Sequence, residues 1–241
     1  MTFGMYVSPE QLMKDRADYA RQGIARGRSV IVASCEDGIV FVAQNPSRSL
    51  HKISEIYDRI GFAAVGKYNE FENLRVAGIR YADLRGFSYD RTDVTARGLA
   101  NAYAQTLGTV FTQESKPYEI EITVAQVGAT SADDQLFRLT YDGSVSDESG
   151  YVAMGRGSDA LTTALQERWS AAASLPQVLR LCTELLRDVA DDRDTHVEAT
   201  DRFEVAVLER RRTRRCFRRL DGVELTKVLE SSDESDGLSA P

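Results

Sequence analysis

The order of strand-like and helix-like segments is the feature that most constrains this fold. Alternating or β-branched runs joined by Asp-Gly turns predict hairpins, and apolar positions recurring every three or four residues predict helices. The predicted order begins with a helix over residues 9–24 and strands over 29–34, 39–43, 53–59 and 62–65. Two helices follow, over 71–81 and 95–114, and then strands over 118–127, 136–141 and 151–154. Helices over 158–172 and 174–189, strands over 203–208 and 216–220, and a last short helix complete the order. Hairpins interrupted by helix pairs predict the α+β class, as a four-layer α/β/β/α sandwich of two antiparallel sheets with an N-terminal helix preceding strand 1.

Helix starts and faces carry local signals as well. Ser, Thr, Asp and Asn accept hydrogen bonds from the first free N–H groups of a helix, and Pro favours its first position. The expected caps are Ser8, Ser158, Ser174 and Asp221. The first helix has a narrow apolar stripe of Met13, Ala17, Ala20 and Ile24, which predicts that it lies on another surface, such as a neighbouring subunit.

Composition excludes several function classes. Hydrophobic residues make up 42% of 241 positions, which is ordinary for a globular protein with a sizeable core. We find no apolar run near the ~18 residues that span a bilayer and no signal-peptide pattern at the start, so we expect a cytoplasmic protein without a membrane. The net charge of -7 argues against nucleic-acid binding by the whole protein. We expect one domain over residues 8–230, a flexible segment over 1–7 and a disordered acidic tail over 231–241.

Cysteine and histidine spacing indicates neither a metal site nor a disulfide framework. Cys35, Cys182 and Cys216 are an odd, widely spaced set, which is typical of reduced structural thiols. His51 and His196 have no partner at ligand spacing. We therefore expect no metal and no cofactor.

Five arginines lie in the six-residue run from Arg210 to Arg215. One hypothesis is a nucleic-acid-binding module that uses this run. The run falls between two predicted strands and lacks interleaved aromatic residues, so a solvated hairpin tip is the favoured interpretation. The segment GRGS, residues 155–158, lacks the lysine of a phosphate-binding loop and predicts a strand-to-helix turn.

Six segments together resemble the alpha subunits of the actinobacterial proteasome. They are residues 18–27 (DYARQGIARG), 45–58 (NPSRSLHKISEIYD), 89–91 (YDR), 106–109 (TLGT), 116–119 (KPYE) and 141–144 (YDGS). The resemblance covers about residues 5–229 and departs around residues 129–134 and 191–201. It implies the fold of the N-terminal nucleophile hydrolases and a non-catalytic role in the proteasome core.

The resemblance also implies partners. Alpha subunits of this family form homoheptameric rings that cap rings of beta subunits and template their assembly. A ring-shaped ATPase docks on the alpha ring through its C-terminal tails and delivers unfolded protein substrates marked by a prokaryotic ubiquitin-like modifier. No nucleic acid and no membrane are expected among the partners.

Three groups of site residues follow from the resemblance. Lys52 matches the pocket lysine that receives the carboxylate of an activator tail between adjacent alpha subunits, with Gly66 and Lys67 as neighbours. The residues matching the gate that closes the pore are Thr2, Phe3, Gly4, Met5, Tyr6 and Val7, and those framing the turn that supports it are Pro9, Asp18 and Tyr19. Without the family, Lys52 is interpreted as a solvated surface lysine. Pro9, Asp18 and Tyr19 are then ordinary surface residues of a capped helix.

The alternative within the same fold is a catalytically active hydrolase of the beta type. Its nucleophile is an N-terminal Thr, Ser or Cys that opens the first core strand. Thr2 stands about 27 residues before the predicted strand at Ser29, with a helix between them. We therefore expect no catalytic residue, and the alternative requires cleavage next to Ser29.

Overall fold

The computed structural model describes residues 8–47, 49–190 and 203–230. The predicted gate segment, the acidic tail and His196 lie outside these residues. The helices are α1 (Pro9–Ala25), α2 (Tyr68–Ser88), α3 (Ala96–Gln113), α4 (Ser158–Arg168), α5 (Leu175–Asp188) and α6 (Gly222–Glu230). The strands are β1 (Val30–Cys35), β2 (Gly38–Gln44), β3 (Ile53–Tyr57), β4 (Ile60–Gly66), β5 (Ile120–Gln126), β6 (Gln135–Leu139), β7 (Val145–Glu148), β8 (Tyr151–Met154), β9 (Phe203–Glu209) and β10 (Phe217–Leu220).

The strands form two five-stranded antiparallel sheets. One has the order β10-β9-β2-β1-β8, and the other has the order β3-β4-β5-β6-β7. The chain leaves the first sheet at the end of β2 and enters the second at the start of β3. Residues 45–52 therefore form a crossover between the sheets, and Lys52 is its last residue.

Three layers of apolar contact join the two sheets and the helices. Between the sheets, side chains such as Val32 and Phe41 from one sheet pack against Val65 from the other. Outside the second sheet lie α2 and α3, and outside the first lie α4 and α5, each with its own buried cluster. The predicted four-layer α/β/β/α sandwich is confirmed, because both faces of each sheet are covered.

Helix α1 closes one end of the sandwich with only part of its apolar stripe. Ala20 and Ile24 are buried in the layer between the sheets, and Ala17 packs against it. Met13 is 38% exposed, and every residue over 8–15 is exposed. The N-terminal half of the helix therefore extends beyond the core of its own chain.

The structure corrects several local predictions. Helix α2 is longer than predicted, with Ala82 rather than Tyr81 continuing its buried face. The cap predicted at Ser158 is wrong, because Gly157 is the N-cap of α4, with a φ of 66°, and Ser158 is already helical. Helix α4 ends at Arg168, before residue 172, and strand β7 was not predicted. The caps at Ser8, Ser174 and Asp221 are confirmed.

The three cysteines are buried free thiols. Burial raises the pKa of the Cys35 thiol to about 11. Within the described ranges, no helix combines the length and apolar character needed to cross a bilayer.

Candidate functional site

The backbone of Lys52 is fixed from both sheets. Its main-chain N–H donates to Glu204 Oε2 across 2.8 Å, and its carbonyl oxygen accepts from Ala64 N across 3.0 Å. Glu204 is on β9 of the first sheet, and Ala64 is on β4 of the second. The position of Lys52 is therefore set by the junction of the sheets rather than by a mobile loop.

The ammonium of Lys52 points to the link between α1 and β1. Its Nζ donates to the main-chain oxygen of Arg28 across 2.7 Å. Burial and the neighbouring Arg28 guanidinium lower the pKa of Lys52 to about 8, although the Glu204 carboxylate opposes them. An anion brought to this ammonium would stabilise its charged form.

Gly66 ends β4 in a conformation that favours glycine. Its φ is +112°, and a Cβ there would lie 1.9 Å from the main-chain oxygen of Glu119. The other side of Gly66 is also close, because a Cβ on Gly27 would lie 3.3 Å from the Gly66 nitrogen. The backbone of β4 thus meets both β5 and the link after α1 at this point.

Lys67 follows as the N-cap residue of α2 and forms an ion pair. Its Nζ lies 2.7 Å from Glu119 Oε2, with the lysine side chain 48% exposed and the glutamate side chain 8% exposed. The hydrogen bond that Lys67 donates to the Glu119 carboxylate raises the pKa of Lys67. Burial favours a higher pKa for Glu119, but hydrogen bonds from Lys67 and Tyr19 and the ammonium of Lys116 hold its pKa below the usual value. Glu119 is thus an ionised carboxylate beside the predicted pocket.

A second acidic residue completes this cluster. Glu70, in the first turn of α2, accepts from Lys116 Nζ across 2.6 Å and from the main-chain nitrogen of Glu119 across 2.6 Å. The start of β5 is therefore held to the start of α2. Lys67 and Lys116 each face a carboxylate of the same cluster.

Helix α1 contributes Tyr19 to the cluster but not Pro9 or Asp18. The Lys116 ammonium lies 5.7 Å from the centre of the Tyr19 ring. Asp18 pairs with Arg21 on the same helix at 3.1 Å, and Pro9 stands in the first turn. Nine residues separate Pro9 from Asp18, which is about 14 Å along the axis. The three predicted gate-support residues therefore do not meet within one chain.

Two of the three predicted tail-binding residues contact the link from α1 to β1. Lys52 and Gly66 lie against this link, at the start of β3 and the end of β4, and Lys67 follows Gly66 in the chain. Sequence reasoning missed Glu204 as a partner of this site. The available signal was an acidic residue near the start of an otherwise apolar run in β9.

The start of β1 bears on the alternative of an active hydrolase. Ser29, the residue before β1, is fully buried, and its hydroxyl donates to the Arg156 main-chain oxygen across 2.6 Å. Helix α1 precedes it in the same continuous chain. A free amine beside this hydroxyl would require cleavage between Arg28 and Ser29. Thr2 lies outside the described residues.

The arginine run forms the β9–β10 hairpin tip, as predicted, but one member is not solvated. The Arg210 side chain is 10% exposed and donates to both carboxylate oxygens of Asp134, at 2.6 and 2.9 Å. Arg212 pairs with Glu209, and Arg215 pairs with Glu55. Three of the five arginines therefore have acidic partners, and the interpretation of a wholly solvated tip is wrong for Arg210.

Comparison with known proteins finds a matching family model and similar sequences. A family model described as "Proteasome subunit" matches residues 24–208. Curated relatives named "Proteasome subunit alpha" include one from Sanguibacter keddieii, 65% identical over 98% of this chain and 93% of the relative. Others are from Kineococcus radiotolerans, 63% identical over 95% of this chain and 98% of the relative, and Thermomonospora curvata, 60% identical over 95% and 98%.

Proposed function

The chain belongs to the proteasome subunit family, as an alpha subunit of the actinobacterial type, and on this premise we propose that it gates the core particle and docks its ATPase. An alpha subunit assembles with other alpha subunits and with beta subunits in the proteasome core. We further propose a homoheptameric ring that templates the beta ring in the cytoplasm and admits unfolded, tagged proteins. Residues 8–230 would form the ring-building domain.

The observation that carries the docking proposal is the environment of the Lys52 ammonium. It is partly buried at the end of the sandwich, is held by a carbonyl oxygen, and has its pKa lowered to about 8. A terminal carboxylate from an activator tail would offset the burial and the repulsion from Arg28. Lys67 supplies a second cation nearby, which Glu119 already neutralises.

Docking is strengthened when several tails bind several such pockets of one ring. The Coulomb energy of one ion pair is roughly 4 kcal/mol at an effective dielectric near 20. The net stabilisation by an exposed pair is often only about 0 to 1 kcal/mol. Several tails on one ATPase ring would engage several pockets on one alpha ring. Effective concentration can then raise avidity by roughly 10² to 10⁴ without a new contact.

Helix α1 connects the proposed pocket to the proposed gate. Arg28, whose carbonyl oxygen accepts from Lys52, follows the helix, and Tyr19 in the helix bonds to Glu119. The proposed gate, Thr2 to Val7, precedes the same helix in the sequence. A tail that moves Lys52 or Lys67 would therefore act on the helix that carries the gate.

We also propose that the chain has no peptidase activity of its own. The support is the buried hydroxyl of Ser29, which donates to the Arg156 main-chain oxygen, and helix α1, which precedes β1. A threonine-directed inhibitor should label purified beta subunits and leave the purified alpha chain unlabelled. Labelling of the alpha chain alone would overturn this part of the proposal.

The docking proposal is tested with assembled core particles. Lys52→Glu should abolish ATPase-dependent degradation of tagged protein while ring assembly and basal peptide cleavage persist. Lys227→Glu, with the same change on the exposed face of α6, is the matched control and should keep degradation. Wild-type ATPase affinity of Lys52→Glu particles, measured by surface binding, would remove Lys52 from the docking site.

A further inference from the structure

We propose that Glu204 is the positioning residue of the pocket: its buried carboxylate holds the crossover between the sheets so that Lys52 faces the Arg28 carbonyl oxygen and keeps its charge. The inference rests on the docking role proposed for Lys52. Glu204 itself does not need to touch an activator tail. It acts through the backbone and the electric field of the site.

Glu204 holds the end of the crossover through two consecutive main-chain N–H groups. Its Oε2 accepts from Lys52 N across 2.8 Å, and its Oε1 accepts from Ile53 N across 3.2 Å. Hydrogen bonds to an ionised acceptor are stronger than neutral ones. The direction in which the chain enters β3, and so the side from which the Lys52 side chain leaves, is therefore set by this carboxylate.

The same carboxylate also holds the start of the crossover. Asn45 Nδ2 donates to Glu204 Oε2 across 2.8 Å, and the same nitrogen donates to the Leu50 main-chain oxygen across 2.6 Å. Asn45 follows β2 directly, whereas Lys52 precedes β3. One side chain on β9 thus fastens both ends of the segment that joins the two sheets.

Charged residues around Glu204 determine how much of its field reaches Lys52. Arg219 on β10 donates from Nη1 to Glu204 Oε1 across 2.5 Å and from Nη2 to the Ile53 main-chain oxygen. His51 Nδ1 lies 3.3 Å from Glu204 Oε1. The charged groups that act on the Lys52 ammonium are thus Arg28 from the link after α1 and Glu204 from β9, with the Arg219 guanidinium balancing Glu204.

A purely structural role and a positioning role of Glu204 predict different changes in the pH midpoint of Lys52 ionisation. The negative charge of Glu204 raises the pKa of Lys52, against burial and Arg28. Glu204→Gln retains the side-chain size and removes this charge, so the midpoint of Lys52 ionisation should fall. Arg219→Met removes a cation that compensates Glu204, so the midpoint should rise. Loss of packing alone would not produce shifts of opposite sign.

The experiment measures Lys52 acylation against pH in assembled core particles, with modified peptides counted by mass spectrometry. Glu209→Gln is the control, because Glu209 is on the same strand and pairs with Arg218 away from Lys52. We expect a lower midpoint for Glu204→Gln, a higher one for Arg219→Met, and the wild-type value for Glu209→Gln. Binding of a synthetic ATPase C-terminal peptide should weaken about tenfold in Glu204→Gln, the size expected for a lost hydrogen bond to a charged group.

The outcomes separate the two proposals. An unchanged midpoint, or shifts of the same sign in both variants, overturns the positioning role of Glu204. Opposite shifts with unaltered peptide affinity support the positioning role and overturn Lys52 as the docking residue. If Glu204→Gln does not assemble, the shift in Arg219→Met alone decides the question, since its absence contradicts the proposed field.

Discussion

The ammonium of Lys52 and the main-chain carbonyl oxygen of Arg28 share a hydrogen bond of 2.7 Å. Arg28 lies between α1 and β1, so the candidate docking cation contacts the segment that joins the N-terminal helix to the sandwich. An ammonium has three donors, and a tail carboxylate can share Lys52 or compete with this oxygen. In either case, the tail would act on the C-terminal end of α1.

Glu119 is expected to compete with an activator tail for Lys67. Its ionised carboxylate lies 2.7 Å from the Lys67 ammonium, where it would repel a second carboxylate. Glu119→Gln should therefore increase the affinity for an ATPase tail peptide by up to about fivefold, as expected for a pair worth about 1 kcal/mol. Surface binding to assembled particles measures the change.

The matched control for Glu119 is Glu184→Gln. Glu184 also forms an ion pair, with Arg168, but on the distant α4–α5 face. Its substitution should leave the tail affinity unchanged. Weaker binding in Glu119→Gln would show that Glu119 orients Lys67 for the tail rather than competing with it.

Deleting residues 2–7 should raise hydrolysis of short peptides by the assembled particle. A segment that closes a pore limits entry, so its removal changes access rather than the chemistry at the beta subunits. Thr2→Ala is the control, because it keeps the segment length and removes the hydroxyl, and its hydrolysis should equal that of the wild type. Unchanged turnover after the deletion would exclude these residues as the gate.

Gly78 and Tyr103 are expected to couple where α2 crosses α3. A Cβ on Gly78 would lie 1.8 Å from the Tyr103 hydroxyl, and this hydroxyl is buried with no hydrogen-bond partner among the described residues. Gly78→Ala should lower the free energy of unfolding by about 1 to 3 kcal/mol through overpacking. Tyr103→Phe should raise it by about 1 kcal/mol, because an unpaired buried hydroxyl is removed.

The double variant is the check on this contact. Phenylalanine at position 103 clears the nearest atom, so Gly78→Ala should cost less in the Tyr103→Phe background, with a coupling of at least about 0.5 kcal/mol. Thermal melting of the single chain resolves it, since 1 kcal/mol is about 2 to 4 °C for a domain of this size. Additive effects would show that helix α2 shifts to accommodate the new methyl group.

The two-sheet architecture could be predicted because its signals are local. The Asp-Gly turn before β2 and the runs of β-branched residues mark hairpins without knowledge of the partner sheet. Strand β7 was not predicted, because its sequence, VSDE, is mostly polar and at least partly exposed throughout. It pairs only with β6, at a sheet edge, where backbone hydrogen bonds suffice and no apolar pattern is required.

Less of the candidate site could be predicted from the sequence. Lys52 was found through the resemblance, since a lysine before a strand has no signature of its own. Its partner Glu204 is 152 positions away in the chain, and no local period connects them. The ion pair of Arg210 could not be predicted for a related reason: its partner Asp134 is 76 positions away in the chain and directly precedes β6 of the other sheet.

Activator docking is expected to weaken as pH rises through about 8. With a pKa of about 8, Lys52 is about nine-tenths protonated at pH 7 and about one-tenth protonated at pH 9. A carboxylate binds the charged form, so tail affinity should change little between about pH 5 and 7, where the tail carboxylate is also ionised, and fall by up to about tenfold per unit above pH 8. Lys67 stays charged over this range, because Glu119 raises its pKa.

Unfolding does not account for this loss of docking, because the effect of Lys52 on stability has the opposite sign. Its pKa is lowered from 10.5, so the buried ammonium costs stability below pH 8, and that cost is relieved as pH rises toward 10.5. The control is Lys52→Arg, since a guanidinium keeps its charge throughout this pH range. Tail affinity of this variant should be flat between pH 7 and 9.5. A flat profile in the wild type would show that Lys52 is not the cation on which docking depends.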